Sequence, residues 1–191
     1  YLTFTGILNE DVAFRVRLEG LGEDGAGGMA IKNAYIRFRN LGFESIPAKL
    51  EIGVVGSVWE SFETQIWQYR QLRRVGAGEF EYIDSVDVGA TYSMNFNDNQ
   101  ISLQLGIWNN GFRKYTLWNY GSALEEQLVN ENLSAGAFIT FNQEGKPAKD
   151  VVRYGGFVAS AGVMLSNKPD YQNTTGEITK GMRILGGLYY I

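Results

Sequence analysis

The stretch Val12–Glu19, VAFRVRLE, decides the fold class. Val12, Phe14, Val16 and Leu18 are apolar; Ala13, Arg15, Arg17 and Glu19 between them are small or charged. Successive side chains of a strand point to opposite faces, so this segment reads as a strand with one greasy and one charged face. The alternation recurs outward from it. Leu2, Phe4 and Leu8 oppose Thr3 and Thr5 within Tyr1–Leu8. Ala34, Ile36 and Phe38 oppose Asn33, Tyr35, Arg37 and Arg39 within Ala30–Arg39; Leu50, Ile52 and Val54 oppose Lys49, Glu51 and Gly53. Ile83–Phe96, Ile101–Trp108, Leu133–Phe141, Val152–Leu165 and Thr179–Tyr190 complete a set of about nine strands, each near the ~9–11 residues that a tilted membrane strand requires.

The connections add discrimination. Asn9–Asp11, Asn40–Ala48, Asn97–Asn99 and Asn142–Asp150 read as turns at one end; Gly20–Met29, Gly56–Glu81, Asn109–Asn132 and Ser166–Ile178 read as longer loops at the other. Short periplasmic turns and long external loops are the plan of an outer-membrane barrel. The expected fold is therefore all-β: an antiparallel transmembrane β-barrel built as a meander, with Val12, Phe14, Val16, Leu18, Ile36, Phe38, Leu50, Ile52, Ile101, Leu103, Leu105 and Ile107 facing lipid. The alternative is a soluble or envelope-associated β-sandwich or small β-barrel that binds a ligand and has no pore. Its core would come from the same apolar residues. If instead Arg15, Arg17, Arg37, Arg39, Lys49 and Glu51 shared a dry interior, the buried charge would be costly; a water-filled lumen removes that difficulty.

Composition sets the remaining bounds. With 191 residues, 24 Gly, 3 Pro, no Cys and no His, the chain reads as one domain over 1–191. The formal net charge of −4 gives nucleic-acid binding no electrostatic support. No apolar run approaches the ~20 residues of a membrane helix. Tyr1 and Tyr189-Tyr190-Ile191 fall inside apparent strands, and bacterial single-chain barrels have an even strand number. An incomplete barrel, truncated at both ends, is the expectation.

Chemistry is sparse. Without His or Cys there is no Ser-His-Asp triad, no cysteine nucleophile and no ordinary zinc site, so no enzyme, cofactor or metal is expected. Glu60 and Glu63 could be imagined as a carboxylate pair, but pairing with Arg70, Arg73 or Arg74 in a folded loop, or simple solvation, is the better reading. Gly20-Leu21-Gly22-Glu23-Asp24-Gly25 matches a dinucleotide string, yet it carries two acids and precedes no helix pattern, so it reads as an external loop. Asn95, Asn97, Asp98 and Asn99 read as a hairpin turn rather than calcium ligands. Trp59, Trp67, Trp108, Trp118, Tyr189 and Tyr190 sit near strand ends or in loops, as interfacial girdles do. For Trp59, Trp67 and Trp118, packing inside a folded loop is an equal alternative.

Leu50–Arg74, LEIGVVGSVWESFETQIWQYRQLRR, resembles a segment of long bacterial porins related to the phosphate-selective (O and P type) porins. In that group a strand ends in a Trp-bearing turn, followed by acidic and aromatic residues and then W-x-Y-R. Trp59, Glu60, Phe62, Glu63, Trp67, Tyr69 and Arg70 stand at matching positions; Val58 replaces the family's usual Pro. Tyr1–Gly20, Ala34-Tyr35-Ile36, Asp87-Val88-Gly89 and Gly106–Gly111 are similar to the group's other strands and corners, so the resemblance covers about Tyr1–Tyr120. It implies a channel in the bacterial outer membrane, commonly of about sixteen strands and often a homotrimer, for small hydrophilic solutes. It also implies a constriction made by an infolded loop and inward basic residues. The constriction-loop candidates are Trp59, Glu60, Glu63, Trp67, Tyr69, Arg70, Arg73 and Arg74. Arg15, Arg17, Arg37, Arg39 and Lys49 are the pore-lining, anion-contacting candidates, set against Glu19, Glu51, Asp84 and Asp87. Clustered arginine along a pore favours anionic solutes; the equal alternative is that these are ordinary water-facing residues tied to neighbouring acids.

Overall fold

The computed structural model describes residues 2–21, 28–43, 46–59, 86–109, 133–143, 157–166 and 181–190. They form a single antiparallel sheet: β1 (Leu2–Ile7), β2 (Val12–Leu21), β3 (Gly28–Phe38), β4 (Ala48–Gly56), β5 (Val86–Phe96), β6 (Ile101–Trp108), β7 (Ser134–Asn142), β8 (Phe157–Ser166) and β9 (Gly181–Tyr190). Strand order follows the sequence from β1 to β9, so the sheet is a meander without crossovers. Among the described residues β1 pairs only with β2 and β9 only with β8, and the sheet is not closed. A sandwich would have divided these strands between two sheets packed on a shared apolar core. Among the described residues there is one sheet.

Register decides which side chains share a face. Phe4, Val16, Ala34, Val54 and Val88 form one cross-strand row. Phe14, Ile36, Ile52, Ala90, Ile107, Ala135 and Leu165 form the next. Both belong to the outward face. Ile36, Ile52, Ile107, Ile139 and Leu165 on it are 45–54% exposed. No Asp, Glu, Lys or Arg occupies an outward paired position of β1–β8. The other face, the inner one, holds the buried polar residues Asp87, Thr91, Ser134, Asn142 and Ser160. All twelve residues expected on one face fall on the outward one.

A bulge preserves this division. Arg17 faces Asn33 while Leu18 faces Ile31, so Lys32 is the extra residue. A one-residue slip would otherwise exchange the faces of the upper part of β3 and set Lys32 beside Leu18 on the apolar side. Lys32 instead reaches Glu19 at 3.8 Å.

The connections need two corrections. Gly20–Met29 is largely strand, since the ladder continues through Gly20↔Met29 and Leu21↔Gly28 and leaves only 22–27 between β2 and β3. Glycine and short side chains place no steric limit on extending the ladder, so composition misled here. Asn142–Asp150 is the second: the connection 143–156 is as long as 167–180, because β8 begins only at Phe157, so the length contrast is strong only for 57–85 and 109–133 against 8–11 and 97–100. The 97–100 turn itself is as expected: Gln100 N donates to Asn97 O at 3.0 Å, and Asp98 and Asn99 have φ of 52° and 67°. Positive φ at both central residues gives the primed turn whose twist suits a two-strand hairpin. At the same end Asp11 ties two turns together, accepting from Arg39 N at 2.6 Å and from Asn40 Nδ2 at 2.8 Å.

Candidate functional site on the inner face

Three central rows of side chains cross the inner face, flanked by others such as Thr3, Arg17 and Asn33. Thr5, Arg15, Tyr35, Gly53, Gly89, Trp108 and Ser134 make the first. Ala13, Arg37, Glu51, Thr91, Gly106, Gly136 and Met164 make the second. Lys49, Ser93, Gln104, Phe138 and Gly162 make the third. Arg15, Arg17, Arg37 and Lys49 thus share one face on β2–β4, as their alternation predicts. Arg39 does not join them: β3 ends at Phe38, and Arg39 enters the turn held by Asp11.

Glu51 organises the charged half. Its Oε1 accepts from Arg37 Nε at 2.6 Å and lies 2.6 Å from Arg37 Nη2 and 3.8 Å from Lys49 Nζ. Thr91 Oγ1 donates to its Oε2 at 3.5 Å. Arg37 Nη2 also donates to the Tyr35 hydroxyl at 2.9 Å, with the guanidinium carbon 5.4 Å from the Tyr35 ring centre. This fixes a planar cation between a carboxylate and an aromatic face. The Arg37 side chain is 29% exposed and that of Lys49 45%, so screening holds the ion pairs to about 1 kcal/mol. Arg15 Nε is enclosed without a hydrogen-bond partner among the described residues. The arginine cluster is therefore partly neutralised: Arg37 and Lys49 share Glu51.

The wall over β6–β8 is aromatic and tightly packed. A Cβ built on Gly106 would strike the Trp108 ring, and one on Gly162 the Phe138 ring. One on Gly136 would lie 2.8 Å from Phe138 and 3.2 Å from Trp108. The two rings thus lie against glycines of their own and the neighbouring strand, where any side chain would displace them. Trp108 and Phe138 are 4% and 3% exposed. Onto this shelf comes Trp59, its ring centre 6.0 Å from that of Phe138 at 35°. Ser57, Val58 and Trp59, directly after β4, are all buried, and Val58 and Trp59 are helical. The chain leaving β4 therefore bends over the inner face as far as β7.

Trp108 does not sit in an outward girdle, a correction that strand parity explains: it alternates with Leu105 and Ile107, which face out. Its Nε1 and the neighbouring Ser134 Oγ have no hydrogen-bond partner among the described residues. Thr140 and Ser160 hydroxyls bond at 3.0 Å, and Ser160 also donates to Ile139 O at 3.2 Å. Asp87 lies on the inner face, 4% exposed. Trp59 is the one constriction-loop candidate in view; Glu60, Glu63, Trp67, Tyr69, Arg70, Arg73 and Arg74 lie outside the described residues, as do Asp84 and Trp118. The contact of Trp59 with Phe138 was not legible from spacing, although the run of inner-face glycines was its sequence trace.

Comparison with protein-family models, with curated proteins and with solved structures finds no match.

Proposed function

We propose that the chain forms part of the wall of a bacterial outer-membrane β-barrel that passes small hydrophilic solutes, in the manner of the phosphate-selective porins it resembles. One observation carries this reading: across eight consecutive strands the outward paired positions hold no charge and include isoleucines and leucines about half exposed. Soluble monomers rarely leave contiguous apolar patches beyond a few hundred Å² in water. Hydrocarbon is a medium that such a face suits, and charge placed inside then meets a wet lumen. Lateral closure by further strands, or assembly as a homotrimer, would remove the open edges at β1 and β9. A lean toward anionic solutes would rest mainly on Arg15, since Glu51 offsets Arg37 and Lys49.

The test is direct. Full-length protein should show heat-modifiable gel mobility, require detergent for solubility, and give discrete conductance steps in planar bilayers, with reversal potentials on the anion side under a salt gradient. A compact, detergent-free protein without conductance would favour the soluble binding-protein reading. A cation-selective pore would remove the anion lean alone.

A further inference from the structure

The inner face is divided into two halves that differ in exposure and chemistry. Over β7–β8 it is closed: Ser134 is 0% exposed, Val158 1%, Phe138 3% and Ser160 6%. Over β2–β4 its long cations are more open, with Lys49 45% and Arg37 29% exposed at their side chains, although Ala13 at 4% and Val55 at 0% are buried. Trp59 lies on the closed half. It arrives from the end of β4 and stacks on Phe138, which is itself bedded against Gly136 and Gly162. An aromatic pair at this separation gains stability beyond that of area burial alone. The glycines let the rings approach the wall more closely than any other residue would permit.

We infer that Phe138, Gly136 and Gly162 form a socket for the chain's own segment after β4, seated through Trp59, and that solute therefore passes along the β2–β4 half. Phe138 and Trp59 are positioning residues: they set which wall is free. The passage part rests on the channel reading above; the socket part does not. In this arrangement Arg15, Arg37, Glu51 and Lys49 are the groups a solute meets, and the polar groups of β7–β8 are structural.

Single-cysteine accessibility tests both parts. Lys49→Cys, Ser134→Cys, Ser160→Cys and Ile107→Cys are made separately in the full-length protein, with no other cysteine present. Each is labelled in lipid vesicles with a charged, water-soluble methanethiosulfonate. The expected result is fast labelling at Lys49→Cys and labelling at least about tenfold slower at Ser134→Cys and Ser160→Cys. Adding Trp59→Ala should raise the rate at one or both to within about threefold of Lys49→Cys, whereas Trp59→Phe should preserve protection. Gel mobility confirms that each variant is folded, and Trp59→Leu replaces Trp59→Ala should the latter unfold. Equal rates at all inner positions in the parent, or protection unchanged in every folded Trp59 variant, overturn the socket. Fast labelling at Ile107→Cys overturns the membrane reading and leaves the socket result standing.

Discussion

The inner wall over β2–β4 and the inner wall over β6–β8 are built from opposite materials. The first is a network of long charged side chains around Glu51, half open to solvent. The second is two aromatic rings laid on glycines, closed over by Trp59. Yet both have the same outward face of branched and aromatic apolar residues. The fold constrains the outside uniformly and leaves the inside free to specialise by region. A strand can do this because its two faces are set by alternate residues, so one can vary without the other.

The contrast predicts where stability resides. Phe138→Ala should be the costliest inner-face truncation, about 3–5 kcal/mol, because a buried ring leaves a cavity and its Trp59 partner loses its seat. Urea unfolding in lipid vesicles measures it. A cost under about 1 kcal/mol would mean that the aromatic half is not a packed core. Glu51→Gln comes next, at about 1–2 kcal/mol, since it leaves Arg37 and Lys49 partly buried without their shared carboxylate. The same variant should move the reversal potential further to the anion side. An unchanged potential would place the solute path elsewhere. Thr140→Val is the mildest. It removes the 3.0 Å bond to Ser160, which keeps its bond to Ile139 O, so a loss of about 0.5–1 kcal/mol is expected from the same unfolding assay.

The two halves also differ in how far they could be read from the chain. The charged half was nearly all legible, because Arg15, Arg17, Arg37, Lys49 and Glu51 lie on adjacent strands joined in sequence order. Alternation alone then places them on one face. Arg39 was misplaced only because a strand end is set by its hydrogen-bond ladder and not by side-chain pattern. The aromatic half was not legible. Trp59 and Phe138 meet across two intervening strands and two long connections, and no periodicity encodes such a contact. Trp108 reads as an interfacial residue because its position near a strand end suits that role as well; its glycine neighbours come from β7 as well as β6, and only the register brings them together. The bulge at Lys32 was hidden for a related reason, since an extra residue in one strand is defined by its partner strand.

The central claim is that the outward face meets hydrocarbon and the inner face meets water, and β6 offers both within a few residues. Leu105, in the middle of the strand, points outward, 39% exposed, and Gln104 points inward beside Ser93 and Phe138. The decisive measurement is the unfolding free energy, in phospholipid vesicles, of Leu105→Arg against Gln104→Arg in the full-length protein. An arginine near the bilayer midplane of a barrel costs about 2–4 kcal/mol, while lumen substitutions are tolerated. The account predicts a loss of about 2–4 kcal/mol for Leu105→Arg and under about 1 kcal/mol for Gln104→Arg. Equal losses, or a Leu105→Arg variant as stable as the parent, would contradict it.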